Sequence, residues 1–182
     1  MKERYEVRFS GYGGQGIITA SIILAEAAGI YEGKNVTQTQ SYGPESRGGV
    51  SKSDVVISNE EIDYPKAITL DVLVAFNQES YKAYKDDVKE NGVIIVDSHY
   101  VKFDEKEKNV IGIPFSVIAR DKVGKEITLN IIALGALVEK TKIVSKESIE
   151  KAVLDRVPKG TEDLNKKALQ LGFQAMQEAV IS

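Results

Sequence analysis

The feature that most constrains this chain is the glycine run "GYGGQG" at residues 11–16, set between "RYEVRFS" and "GIITASIILAEAAGI". In the first segment Tyr5, Val7 and Phe9 alternate with polar residues, the period of a strand. In the second, Ile17, Ile18, Ile22, Leu24, Ala25 and Ala28 form a broad apolar helical face. After Gly29 and Gly33, "KNVTQTQ" returns to an extended pattern rich in Val and Thr. Strand, loop, helix and strand make a βαβ unit, the context a phosphate-cradling loop requires. Gly11, Gly13 and Gly16 fit G-x-G-x-x-G, while Gly14 and Gln15 add a fourth glycine and a carboxamide. The missing side chains let the backbone turn tightly and let an anion reach N–H groups at the helix N-terminus, where the helix dipole favours negative charge. The competing reading is a glycine turn that only lets helix and sheet pack closely.

A standard NAD site is discounted. Such a site places a carboxylate about 20 residues beyond the loop to bind ribose hydroxyls. Here the second strand ends in "VTQTQ", with Gln38 and Gln40, and Glu32 precedes the strand. No G-K-[ST] follows the loop, so it is not a P-loop either.

Further along, "SYGPESRGG" (41–49) is dense in turn formers and predicts a loop. "VSKSDVVIS" alternates like an edge or antiparallel strand, whereas "ITLDVLVAFN" and "GVIIVDS" read as strands covered on both faces. Asn77 is placed to cap a helix beginning at "QESYKAYKDDV", and "NVIGIPF" is a short strand stopped by Pro114. The rest reads as helical over about 127–138, 146–157 and 162–180. The expected fold is a single α/β domain spanning 1–182: Rossmann-like, doubly wound, mostly parallel, with one antiparallel-looking strand and helices on both faces. "ITLNIIALGALVEK" is apolar nearly all round, so it is expected to be buried on several sides, one of them open to cover by another subunit, with Gly135 permitting close packing against a neighbour. In the last helix Leu164, Ala168, Leu171, Ala175 and Ala179 form a stripe expected to dock on the sheet.

Length and composition narrow the function classes. A chain of 182 residues with 42% hydrophobic and 28% charged residues suits one folded, soluble domain. The net charge of -3 argues against a nucleic-acid partner. No apolar run approaches the ~20 residues that span a bilayer, and the start carries no apolar secretory segment, so a cytoplasmic protein is expected. With no cysteine and one histidine, His99, the chain holds no thiolate-bound iron–sulfur cluster, disulfide or multi-histidine metal site.

Few other residues suggest chemistry. Tyr42, Glu45 and Arg47 lie in a loop expected at the same sheet edge as the glycine loop, and Arg47 suits a bidentate contact to carboxylate or phosphate. A local pair with Glu45 or a subunit contact explains Arg47 equally well. His99 and Asp97 end a strand and read as loop residues before catalysts, and Asp71 reads as a turn residue.

Together, "GYGGQGIITASIILAEAA", "TQTQSYGPESRGGVSKSDVVIS", "IDYPKA" and "DVLVAFNQESY" resemble the gamma subunit of 2-oxoacid:ferredoxin oxidoreductases, over roughly residues 4–85. "QSYGPESRGG" looks most like the 2-oxoglutarate type. The resemblance implies an enzyme that turns a 2-oxoacid, coenzyme A and oxidised ferredoxin into acyl-CoA, carbon dioxide and reduced ferredoxin. It implies alpha and beta subunits holding thiamine diphosphate and magnesium. It also implies iron–sulfur clusters in the beta subunit or in a delta subunit, and a gamma domain that helps shape the coenzyme A site. Gly11, Gly13, Gly14, Gln15 and Gly16 match the glycine loop, and Tyr42, Gly43, Glu45, Arg47, Gly48 and Gly49 the second loop. The expectation is that the loop at 11–16 holds a phosphate-bearing part of coenzyme A, with Arg47 nearby and with no catalytic or metal-binding residue in this chain. The absent cysteines and thiamine motif agree that this chain does not run the redox reaction alone. The alternatives are a free-standing Rossmann-like dehydrogenase and a purely structural subunit.

Overall fold

The computed structural model describes residues 4–42 and 49–181. The chain runs through β1 (Arg4–Gly11), α1 (Ile17–Glu26, continued by a wider π-helical turn to Tyr31), β2 (Asn35–Ser41) and β3 (Ser51–Ser58). It continues through β4 (Leu70–Ala75), α2 (Gln78–Tyr84), β5 (Val88–Asp97), β6 (Val110–Ile113) and a short α3 (Phe115–Ile118). It finishes with α4 (Leu129–Thr141), α5 (Lys146–Arg156) and α6 (Glu162–Ile181).

The strands form one six-stranded sheet in the order β2-β3-β1-β4-β5-β6. The β1, β4, β5 and β6 strands are parallel, and β3 is antiparallel to both β1 and β2. The expected α/β, mostly parallel architecture is therefore the observed one. Strand β3 is antiparallel as expected but internal, with Val55, Val56 and Ile57 buried; the edge strand is β2.

Helices lie on both faces, unequally. Val7, Phe9, Val55, Ile57, Val72 and Val74 point into a large core shared with α1, α4, α5 and α6. On the opposite face Leu70, Leu73, Ala75 and Val96 pack with Tyr81 of α2 and with Val101. Over β1 and β3 that second face is polar. Arg8 lies directly across the register from Asp54 and grips it with two bonds of 2.7 and 2.9 Å. It also reaches Asp87 at 2.8 Å, with the Tyr84 ring 4.7 Å from its guanidinium carbon. Removing one partner of such a buried pair costs about 3–5 kcal/mol, because the other charge stays buried.

Three expectations are corrected. Asp71 is not in a turn: it lies within β4, is buried, and accepts from the backbone N–H of Glu6 at 2.9 Å and from Lys89 Nζ at 2.8 Å. Helix α4 is buried along Leu129–Val138 by its own chain, so no second subunit is needed to cover it. It packs against α6 at Gly135 and Gly172, where a Cβ on either glycine would press into the carbonyl of Leu169 or Ile132. The buried stripe of α6 accordingly runs through Asn165, Ala168, Leu169, Gly172, Phe173 and Met176, with Leu164, Leu171, Ala175 and Ala179 half-buried beside it.

Two outcomes follow for stability. Gly172→Ala forces α4 and α6 apart and should cost about 1–3 kcal/mol, read as a lower urea midpoint at unchanged slope. Glu139, near the end of α4, accepts from Lys142, Lys146 and Gln177. Burial alone would raise its pKa, but these bonds outweigh it and pull it from 4.5 to about 2. A depressed carboxylate pKa stabilises the fold above the unfolded value, and that contribution is lost as pH falls through the folded value. In melts across pH, Glu139→Gln should therefore be less stable than the parent near neutrality, with the gap closing between pH 4.5 and about 2.

Candidate functional site

The chain leaves β1 through α1 towards the β2 side of the sheet, whereas β4 and β5 lie on the other side of β1. The carboxyl ends of β1 and β4 therefore flank a topological switch point, where folds of this class form a crevice. A cleft of about 530 Å3 lies there. Gly13, Gly14, Gln15 and Asn77 line it, and Tyr12, Tyr100 and Ile127, all substantially exposed, form its rim.

The loop's shape follows from its residues. Gly14 and Gly16 have φ of 86° and 76°, a region that side chains disfavour. At Gly16 a Cβ would also lie 2.5 Å from the Asn130 carboxamide nitrogen. A Cβ on Gly13, by contrast, would meet nothing within 4 Å, so this glycine leaves open space facing the cleft. Gln15 folds back on the loop: its Oε1 accepts from the Tyr12 N–H at 2.7 Å and from Asn77 Nδ2 at 3.3 Å. Asn77 Oδ1 in turn accepts from the Ser80 N–H at 2.8 Å, capping α2. Asn130 Nδ2, from α4, donates to the Gly16 carbonyl at 3.2 Å. The loop is thus tied to the end of β4 and to α4, while the N–H groups of Gly13 and Gly14 have no acceptor among the described residues. Two fixed, unused donors ahead of a helix N-terminus are suited to an oxyanion. Glu79 beside the rim bonds the Tyr12 hydroxyl, which raises the phenol's pKa and lowers that of the carboxyl.

Gly11, Gly13, Gly14, Gln15 and Gly16 are brought together as their spacing suggests. Arg47 lies outside the described residues, as do Gly43, Glu45 and Gly48. Both loops nevertheless leave the same sheet edge, since Gly11 pairs with Ser51 and Ser41 with Lys52. Tyr42 is exposed there, its hydroxyl accepting from Gln40 Nε2 at 3.0 Å. His99 is exposed outside the cleft lining, its ring 4.7 Å from that of Tyr100. Asp97 is buried and accepts from the backbone N–H of His99 and Ser116, so it closes the turn after β5. Burial raises its pKa against those bonds. Asn130, Tyr100 and Ile127 were not singled out by the sequence; of these, Asn130 carried a signal, as the one polar residue in "LNIIALGAL".

The geometry also disfavours a standard dinucleotide site. Strand β3 separates β2 from β1, moving the end of β2 about 5 Å farther from the loop than direct pairing would. The Gln38 carboxamide is held there by Ser21 and Ser53, at 3.2 and 2.8 Å. The Asp54 carboxylate of β3 is committed to Arg8 on the opposite face. No helix among the described residues is long and apolar enough to cross a membrane.

The family model described as pyruvate ferredoxin/flavodoxin oxidoreductase matches residues 6–175. The 2-oxoglutarate synthase subunit KorC of Methanocaldococcus jannaschii is 52% identical over 181 residues, covering 98% of this chain and 97% of that protein. Among solved structures, the keto/oxoacid ferredoxin oxidoreductase gamma subunit of Geobacter sulfurreducens superposes with a TM-score of 0.89 at 49% identity, covering 97% of this chain and 98% of that one. The 2-oxoglutarate:ferredoxin oxidoreductase of Magnetococcus marinus, solved with 2-oxoglutarate, coenzyme A and succinyl-CoA bound, gives 0.85 at 27% identity. There the likeness covers 98% of this chain but 32% of the longer one. With its length matched in this way, the chain belongs to the pyruvate ferredoxin/flavodoxin oxidoreductase family.

Proposed function

We propose that this chain is the gamma subunit of a thiamine diphosphate-dependent 2-oxoglutarate:ferredoxin oxidoreductase, and that its glycine-loop cleft holds a phosphate-bearing part of coenzyme A. The end-to-end match to a 2-oxoglutarate synthase subunit carries the first statement. The N–H groups of Gly13 and Gly14 at the switch point, which have no acceptor among the described residues, carry the second. In this reading the chain binds and orients the substrate, while alpha and beta subunits, with or without a separate delta, hold thiamine diphosphate, magnesium and the iron–sulfur clusters that pass electrons to ferredoxin. Its own residues do not fit those groups: it has no cysteine, and the described residues hold no cluster of three or more metal-ligating side chains. No redox step is therefore assigned to this chain.

A second reading is favoured by the rim. Exposed Tyr12, Tyr100 and Ile127 around one cleft also suit a site packed by a neighbouring subunit. The two readings separate at Gly13, where a side chain enters the cleft without meeting the fold.

Affinity-tagged chain recovered from its native source should bring down thiamine-binding and iron–sulfur partners in constant ratio; recovery of the chain alone would sink the subunit assignment. In the assembled enzyme, Gly13→Phe should raise KM for coenzyme A about tenfold or more with kcat largely kept, the pattern of lost ground-state binding. Unchanged KM with intact assembly counts against the coenzyme A contact, and poor assembly with unchanged KM favours the packing site.

A further inference from the structure

We infer that the free edge of β2 is an interface with a second copy of this chain, formed by antiparallel β2–β2 pairing about a twofold axis at Gln38. Strand β2 pairs with β3 on one side and with no strand among the described residues on the other. Its seven residues, "NVTQTQS", run in unbroken register with β3 and carry no charge and no proline. Edge strands of free-standing domains are usually blunted by such charges, prolines or bulges, and β2 has none of them.

The surroundings of the edge say what covers it. Val36, Gln38 and Gln40 alternate onto the α1 face, as the Gln38–Ser21 bond fixes. The turn after α1 lies over Val36, with Gly29 beside the Val36 side chain. The next residue, Ile30, is 71% exposed. Beyond the other end of β2, Tyr42 continues the alternation beside Gln40 and is 66% exposed. A twofold axis perpendicular to the sheet at Gln38 keeps the two α1 faces on one side and sets Val36 opposite Gln40 of the second copy. The exposed Ile30 of each copy then approaches the exposed Tyr42 of the other, twice over. The other opposed pairs include Gln38 with Gln38 and Thr37 with Thr39, all uncharged, so no like charges meet across the axis. A surface that complements itself under a twofold axis is what an isologous dimer requires. The result would be a continuous twelve-stranded sheet, leaving the glycine-loop cleft, on the far side of β1, open.

The absence of native cysteine makes the test direct. Opposed strand residues have Cα atoms about 4.5–5.5 Å apart, within the range a disulfide bridges. Gln38→Cys on the axis should therefore give a covalent homodimer under mild oxidation, in the free chain and in the assembled enzyme. Gln40→Cys, whose two copies would lie more than about 13 Å apart, should cross-link at least about tenfold more slowly. In the unmodified chain, sedimentation should show a dimer, with the β2 backbone amides that face away from β3 exchanging more slowly as concentration rises. A chain that stays monomeric with these outward-facing amides unprotected overturns the proposal. So does equal cross-linking of the two variants, or capture of a different subunit at Gln38→Cys.

Discussion

The candidate site depends on one side chain, the carboxamide of Gln15. Its oxygen takes two donors, the Tyr12 N–H within the loop and Asn77 Nδ2 at the end of β4. The first bond closes the glycine turn on itself. The second ties that turn to the neighbouring parallel strand and, through Asn77 Oδ1, to the start of α2. With Asn130 holding Gly16 from α4, the loop is fixed before any ligand arrives. Donors held in place lose little conformational freedom on binding, which is why preorganised N–H groups recognise anions better than mobile ones.

Much of the fold was legible because its signals are local. The strand period around Val7 and Phe9, the helical face after Gly16 and the cap at Asn77 each lie within a few residues, and all appear where expected. What was not legible depends on distant partners. Asp71 looks like a turn residue beside "ITL", yet the backbone of Glu6 and the amine of Lys89 make it a buried acceptor within β4. The wholly apolar α4 suggested a missing subunit, because nothing in its own letters shows that Gly172, thirty-odd residues on, lets α6 come close enough to cover it.

The site shows the same division. Spacing alone assembled Gly11, Gly13, Gly14, Gln15 and Gly16 into one loop, but not their separate duties. Gly16 is needed for its backbone angle and its closeness to Asn130, while Gly13 is needed by neither. A glycine that the fold does not require, facing a cleft, points to what occupies the cleft. The insertion of β3 between β1 and β2 was likewise hidden, and it is what removes the place of a ribose-binding acid.

In the proposed function, the Gly13 and Gly14 N–H groups receive a phosphate oxygen of coenzyme A. The most direct measurement is the structure of the assembled enzyme with coenzyme A bound. A phosphate oxygen is expected within about 3.2 Å of one or both of these nitrogens, with the Gln15 bonds to Tyr12 and Asn77 intact. Coenzyme A seated elsewhere, with a neighbouring subunit's side chain filling the cleft against Gly13, would contradict it.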